Sequence, residues 1–139
     1  LAYNRRKGTV RGLHFQYPPA AETKLVGCIR GAMLDIIVDL RPESETYLEH
    51  FSVELNEDNQ RALYVPERFA HGYQSLQDDT IATYQMSEFY TPNFEGGLMY
   101  NEPRLGLPWP LPVTAMSDKD KGYPPLEQIE AELKRRMSL

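Results

Sequence analysis

Three basic side chains in apolar, strand-like surroundings carry most of the chemistry this sequence offers. They are His14 in Gly12-Leu13-His14-Phe15-Gln16, Lys24 ten residues further on, and His71 in Pro66-Glu67-Arg68-Phe69-Ala70-His71-Gly72. Histidine titrates near neutral pH, so it takes up or returns a proton there. Lysine supplies a fixed positive charge that stabilises a developing oxyanion. Together they suit proton abstraction beside a carbonyl. Other chemistries find less support. Ser75, Ser87 and Ser117 sit in no nucleophile elbow, and neither a glycine-rich phosphate loop nor a dinucleotide fingerprint is present. None of the three histidines is two residues from another. A metal site built from His14, His71 and a carboxylate therefore has no support in spacing, and no metal is expected.

Each residue also has a purely structural reading. In a strand, His14 points away from both Leu13 and Phe15 and would serve as a hydrogen-bonded barrel histidine. Gly72 either admits the close approach of a ligand or makes a bend. His50, beside acidic neighbours, reads as a surface residue. Tyr84 between Thr83 and Gln85 fits an ordinary strand tyrosine, and Asp118-Lys119-Asp120-Lys121 taken alone reads as a solvated charge run. Asp35 between Leu34 and Ile36 is harder to place, because a carboxylate in an apolar strand is costly unless partnered.

The elements that must hold these groups repeat with a period of two. Lys24–Arg30 and Ala32–Leu40 are β-rich runs separated by a tight turn at Gly31, and Thr46–Leu55, Asn59–Pro66, Gly72–Leu76 and Thr80–Met86 continue the series. Asp78-Asp79 marks a hairpin between the last two. Short strands broken at such regular intervals predict an all-β sandwich or barrel. Thr91–Pro125 is rich in proline and glycine and reads as a loop-rich wrap. Leu126, Ile129, Leu133 and Met137 fall at helical spacing after Pro124-Pro125, predicting a C-terminal helix packed on the outside of the barrel.

At 139 residues the chain has the size of one domain, taken as 1–139, and can bury a core without disulfides. The net charge of −5 argues against a nucleic-acid partner. No stretch has the length and apolar character of a membrane span. Cys28, the single cysteine, reads as a buried, inert thiol in a reducing, cytoplasmic setting. The chain starts with Leu, which points to a processed or trimmed N-terminus.

Beyond these local patterns, Gly8-Thr9-Val10-Arg11-Gly12-Leu13-His14-Phe15-Gln16 resembles the signature of the dTDP-4-dehydrorhamnose 3,5-epimerase family. The resemblance continues through Lys24-Leu25-Val26, Val38-Asp39-Leu40-Arg41 and Tyr64-Val65-Pro66-Glu67-Arg68-Phe69-Ala70-His71-Gly72. It resumes at Phe89-Tyr90-Thr91-Pro92, Glu95-Gly96, Leu107-Pro108-Trp109-Pro110 and Ser117-Asp118-Lys119-Asp120, and so covers nearly all of the chain. It implies a cupin-type jelly-roll barrel, without metal or other cofactor, usually a homodimer. It also implies epimerisation of a nucleoside-diphosphate 4-keto-6-deoxyhexose at C3, C5 or both, through an enolate.

Carried over residue by residue, His14 matches the catalytic base and Asp120 its carboxylate partner. Lys24 matches the lysine near the C4 oxygen, and Tyr84 the acid on the opposite face. His71 matches the second histidine near the sugar, with Asp35 orienting it. Arg11 matches the arginine that reaches the diphosphate, Gln16 belongs to the same substrate-binding block, and Phe89 or Tyr90 stacks on the base. Family members carry a longer run before the Gly-Leu-His block, including strands that cross to the partner subunit, whereas thirteen residues precede His14 here. The family's N-terminal strands are therefore expected to be missing. Two other readings stand beside epimerisation: a sugar-nucleotide 3,4-ketoisomerase, and a barrel that binds a sugar nucleotide without chemistry.

Overall fold

Alternation along the strands builds two faces of one sheet, and a computed structural model describing residues 1–139 shows what covers each. The longest strand, β4 (Ala32–Asp39), is buried on both sides. Ile36 and Val38 turn to an outer cluster that includes Leu13, Phe15, Ala70, Leu126, Leu133 and Met137. Met33 and Ile37 turn inward to Val26, Leu55, Val65, Tyr73 and Ala82. That two-sided burial explains why β4 reads as a nearly continuous apolar run broken by Asp35.

The remaining strands are β1 (Ala2–Asn4), β2 (Val10–Gln16), β3 (Lys24–Arg30), β5 (His50–Asn56), β6 (Ala62–Val65), β7 (Phe69–Ser75), β8 (Thr80–Met86) and β9 (Glu95–Gly97). They form a four-stranded sheet ordered β1-β8-β3-β6 and a five-stranded sheet ordered β5-β4-β7-β2-β9, with every ladder antiparallel. The fold is all-β, a cupin-type jelly-roll barrel, as expected. No helix is long and apolar enough to cross a membrane.

One turn acts differently from the expectation. Asp78-Asp79 does not close a hairpin: β7 pairs with β2 and β4, whereas β8 pairs with β1 and β3. The chain crosses there from one sheet to the other, with Asp79 at φ 57°. Gly31, at φ 78°, makes the same crossing between β3 and β4, and a Cβ there would meet the Thr80 side chain at 2.5 Å. The runs from Thr46 and Asn59 also enter their strands late. Thr46 bonds the Asp39 carboxylate and Asn59 caps a turn at Asn56, so side-chain hydrogen bonds replace ladder pairing in both segments.

The C-terminal helix spans Leu126–Met137, with Pro125 at its N-cap, and buries Leu126, Leu133 and Met137 against the outside of the five-stranded sheet. The wrap before it contains β9 and a short helix, α1 (Asp118–Lys121), so we number the C-terminal helix α2. The charge run is α1 itself: Ser117 accepts from the Asp120 N–H, and the turn drives Asp120 inward to 3% exposure.

Candidate active site

Strand β2 places the first two groups by breaking its own register. Arg11 pairs with Tyr73 and His14 with His71, so β2 advances three residues while β7 advances two. This bulge puts Arg11 and His14 on the same inner face, which simple alternation would not do. It needs glycine on both strands. Gly12 has φ 118°, and a Cβ on it would lie 2.7 Å from the Gly72 Cα and the His71 carbonyl. Gly72 thus admits the neighbouring strand, rather than a ligand.

The bulge also turns the Gly12 N–H toward Asp120. It donates to Oδ2 at 3.0 Å, and His14 Nε2 meets Oδ1 at 2.6 Å. Burial pushes the Asp120 carboxyl up, but the bonds from His14 and Gly12 outweigh it, and the group ends below the usual range. The His14 side chain remains 43% exposed, and its Nδ1 makes no hydrogen bond within the chain. Tyr123 meets the ring edge-on, with centroids 6.3 Å apart.

Strands β3, β4, β7 and β8 bring in the rest. His71 Nε2 bonds Asp35 Oδ1 at 2.5 Å, both buried, while Asp35 Oδ2 has no partner. That pairing answers how a carboxylate is tolerated in β4. Lys24 is buried, and burial pulls its ammonium below the usual lysine range, while Glu22 and then Asp35 pull it back. Tyr84 is shifted the other way. Burial, followed by the neighbouring Tyr73, pushes its hydroxyl far up, so it keeps its proton at neutral pH. A protonated phenol and a histidine that line one cavity form the arrangement of an acid and a base.

These groups line a cavity of about 270 Å³ shared by Arg11, His14, Lys24, His71, Tyr73 and Tyr84. A second cavity of about 220 Å³ shares His14 and Lys24 and opens toward Glu22, Tyr90, Glu95, Lys119 and Tyr123. The eight side chains expected from His14, Asp120, Lys24, Tyr84, His71, Asp35, Arg11 and Tyr90 are thus brought to one end of the barrel. Arg11 reaches it through Asn4, donating from Nε to Oδ1 at 2.7 Å. Phe89 is not brought there: it is 86% exposed and lines neither cavity. Gln16 lines the smaller cavity, but its amide is engaged by backbone. It donates to the Ala20 carbonyl at 2.7 Å and the Phe89 carbonyl at 3.3 Å, and accepts from the Thr91 N–H at 3.0 Å.

Sequence reading missed several participants. Tyr73 donates to Asn4 Oδ1 at 3.2 Å, behind Tyr84. Glu95 accepts from Tyr90 and from Lys119, each at 2.9 Å, and ties the cavity mouth together. Tyr123 packs in space that only glycine at position 97 leaves open, and no local pattern announces it. Glu22 did leave a signal, since it stands two residues before Lys24, in the loop that leads into β3. No three His, Cys, Asp or Glu side chains converge to hold a metal ion.

Comparison with known proteins gives this geometry a context. Residues 1–128 match the family model described as dTDP-4-dehydrorhamnose 3,5-epimerase. A curated protein of that name from Sinorhizobium fredii is 44% identical over 123 residues, which cover 88% of this chain and 63% of the relative. The crystal structure of dTDP-4-dehydrorhamnose 3,5-epimerase from Bacillus anthracis, with TDP and PPi bound, superposes with a TM-score of 0.87 at 42% identity, covering 90% of this chain and 71% of that one. The epimerase from Legionella pneumophila in complex with dTDP-4-keto-L-rhamnose gives a TM-score of 0.86 at 34% identity, covering 96% and 72%. The chain spans 63% of the length of the Sinorhizobium relative. With a family model matched over most of its residues, this chain belongs to the dTDP-4-dehydrorhamnose 3,5-epimerase family.

Proposed function

We propose that this chain epimerises a nucleoside-diphosphate 4-keto-6-deoxyhexose at C3, C5 or both. The observation that carries the reading is the His14–Asp120 pair: a carboxylate fixes Nε2 at 2.6 Å and leaves Nδ1 free toward a cavity that also holds Lys24 and Tyr84. The C4 ketone acidifies the neighbouring C–H bonds. His14 Nδ1 takes one proton, the C–H electron pair becomes the enolate double bond, and negative charge moves to the C4 oxygen. Lys24, with His71 beside it, stabilises that oxygen. Tyr84 then returns a proton to the same carbon from the opposite face, and the carbonyl re-forms. The Tyr84 phenolate recovers a proton from solvent, to which the His14 imidazolium loses one, so the cycle balances. Asp120 stabilises that imidazolium and holds its tautomer.

At the mouth, Arg11 binds the diphosphate and Tyr90 stacks on the base. The reaction asks for no cofactor. We read the assembly as a homodimer in which a second copy covers Leu25, Ile29 and Tyr64, which are 44–59% exposed on β3 and β6. The single, buried Cys28 fits a reducing, cytoplasmic compartment.

Incubation with dTDP-4-keto-6-deoxyglucose in deuterium oxide tests the proposal. Epimerisation places deuterium at C3 or C5 with inversion. A 3-keto product would replace this reading with ketoisomerisation, and binding without any exchange would reduce the chain to a sugar-nucleotide carrier.

A further inference from the structure

Lys24 presents a physical problem that the reaction does not by itself solve. A buried ammonium is costly, and one that must still be charged when substrate arrives needs a partner that does not occupy its donors. The groups around it differ in what they offer. His14 on β2 and His71 on β7 line the same cavity, as do Arg11 and Tyr84, while Lys119 and Glu95 lie across the second cavity. Asp35 on β4 has one oxygen bound to His71 and acts on Lys24 at longer range. Glu22 is the carboxylate in ion-pair contact, with Oε1 3.5 Å from Nζ. Its side chain is 12% exposed and that of Lys24 10%, so solvent screens the pair little.

The loop holds Glu22 in place. Gln16 bonds the Ala20 carbonyl at 2.7 Å on one side of it. On the other side, Thr23 donates to the Ser87 hydroxyl at 2.8 Å and accepts from the Ser87 N–H at 3.0 Å. The segment is thus tied to β2 and to the end of β8. The 3.5 Å separation is long for a hydrogen bond, so the ammonium donors remain available to a ligand oxygen. Charge is supplied without capping the group.

We infer that Glu22 is a positioning residue for the reaction, holding the Lys24 ammonium charged and aimed at the substrate carbonyl oxygen. This rests on the function proposed above. Once the ammonium is lost the enolate loses its counter-charge, so Lys24 sets an alkaline limit to turnover. Tyr84 keeps its proton well beyond that point. Removing the Glu22 charge makes the ammonium easier to deprotonate and moves that limit to lower pH. An opposite charge at this range shifts a titration by about 1–3 pH units, and about one unit is expected for a loose pair.

The test is the pH profile of deuterium wash-in, measured for wild type, Glu22→Gln, Glu22→Asp and Lys24→Arg. The alkaline limb of Glu22→Gln should fall about one pH unit below wild type, with the limb restored toward wild type in Glu22→Asp. In Lys24→Arg the cation does not titrate, and adding Glu22→Gln should leave the limb where it was. A Glu22→Gln profile that scales down uniformly with an unmoved limb overturns the inference. So does a shift that persists in the Lys24→Arg background. If Glu22→Gln is recovered unfolded, Glu22→Asp and direct NMR titration of the Lys24 ammonium in wild type and in Glu22→Asp decide the point: an ammonium that titrates with the alkaline limb in both proteins supports the inference, and one that titrates clear of the limb, above or below it, refutes it. Wild-type protein that exchanges no deuterium defeats the proposed function instead, so the two failures are distinct.

Discussion

Replacing Asp120 by Asn changes almost no volume, which isolates the tautomer argument. The Asp120 carboxylate has two oxygens in use: Oδ1 faces His14 Nε2 at 2.6 Å and Oδ2 accepts the Gly12 N–H at 3.0 Å. An amide has one acceptor. The Gly12 N–H is buried, and leaving it unsatisfied costs about 1–3 kcal/mol. The amide oxygen therefore stays with Gly12 and the amide NH2 turns to His14. An NH2 donates, so Nε2 must accept, and the ring proton moves to Nδ1, the nitrogen meant to receive the substrate proton. The imidazolium also loses its counter-charge. Losing a general base typically costs about 10²–10⁴ in rate. Because the ring itself remains and a flipped amide restores the working tautomer at the expense of Gly12, Asp120→Asn belongs in the lower part of that range. A loss of about 10²–10³ corresponds to about 2.7–4 kcal/mol of transition-state stabilisation. His14→Ala, which deletes the acceptor, should lose more. The assay is initial-rate deuterium wash-in at C3 and C5, with circular dichroism to establish that each variant is folded. A folded Asp120→Asn protein exchanging at the wild-type rate would refute the assignment of His14 as the oriented base.

Other perturbations probe separate parts of the molecule. Tyr84→Phe should leave abstraction by His14 in place, so deuterium still enters substrate, while net inversion falls by about tenfold or more; equal loss of both observables in a folded variant would reject Tyr84 as the opposite-face acid. Gly72→Ala would place a Cβ 2.8 Å from the Arg11 carbonyl and from Leu13 Cδ2, so strand β2 must shift. A cost of about 1–3 kcal/mol is expected, seen as a Tm several degrees lower together with loss of exchange, and an unchanged Tm would show that the β2–β7 approach is not tight. Acid should destabilise the fold through Asp39 and Asp120. Both carboxyls lie below their ordinary range despite burial, Asp39 because Arg41, Ser44 and Thr46 bond it, Asp120 because His14 and Gly12 do. A folded-state value below the unfolded one gives stability that is complete above about pH 4 and is lost as pH falls through the folded value. Chemical denaturation from pH 6 down to pH 2 should show that decline, with a shallower slope in Asp39→Asn.

Strand positions were legible because burial writes them into the chain twice. β3, β4 and β8 begin at the predicted residues, each bounded by a turn residue or a polar cluster that stops the alternation. The helix was legible for the same reason, with apolar residues facing one sheet and a proline pair at the start. Pairing was not legible. A sequence shows that Asp78-Asp79 turns the chain, but whether β7 and β8 then pair or part depends on which sheet each strand's apolar face can cover. Here β7 is covered by α2 on one side and the barrel interior on the other, whereas β8 closes the opposite wall.

The site divides along a similar line. His71, Lys24 and Tyr84 each sit within a regular strand, and alternation alone turns them inward once the barrel closes. Arg11 does not obey that rule. It faces inward because β2 carries one extra residue between it and His14, and the cause lies in two glycines that are 60 residues apart in sequence and pressed together in space. Asp120 obeys no strand rule at all. Its burial comes from one helical turn capped by Ser117, whose charges point outward everywhere else. The base is therefore built from a strand irregularity and a capped turn. Both are local departures from the pattern that makes the barrel, and both converge on the Gly12 N–H. That shared hydrogen bond ties the geometry of the bulge to the orientation of the histidine, so a change that regularises β2 should disable His14 even when the ring and its carboxylate are still present.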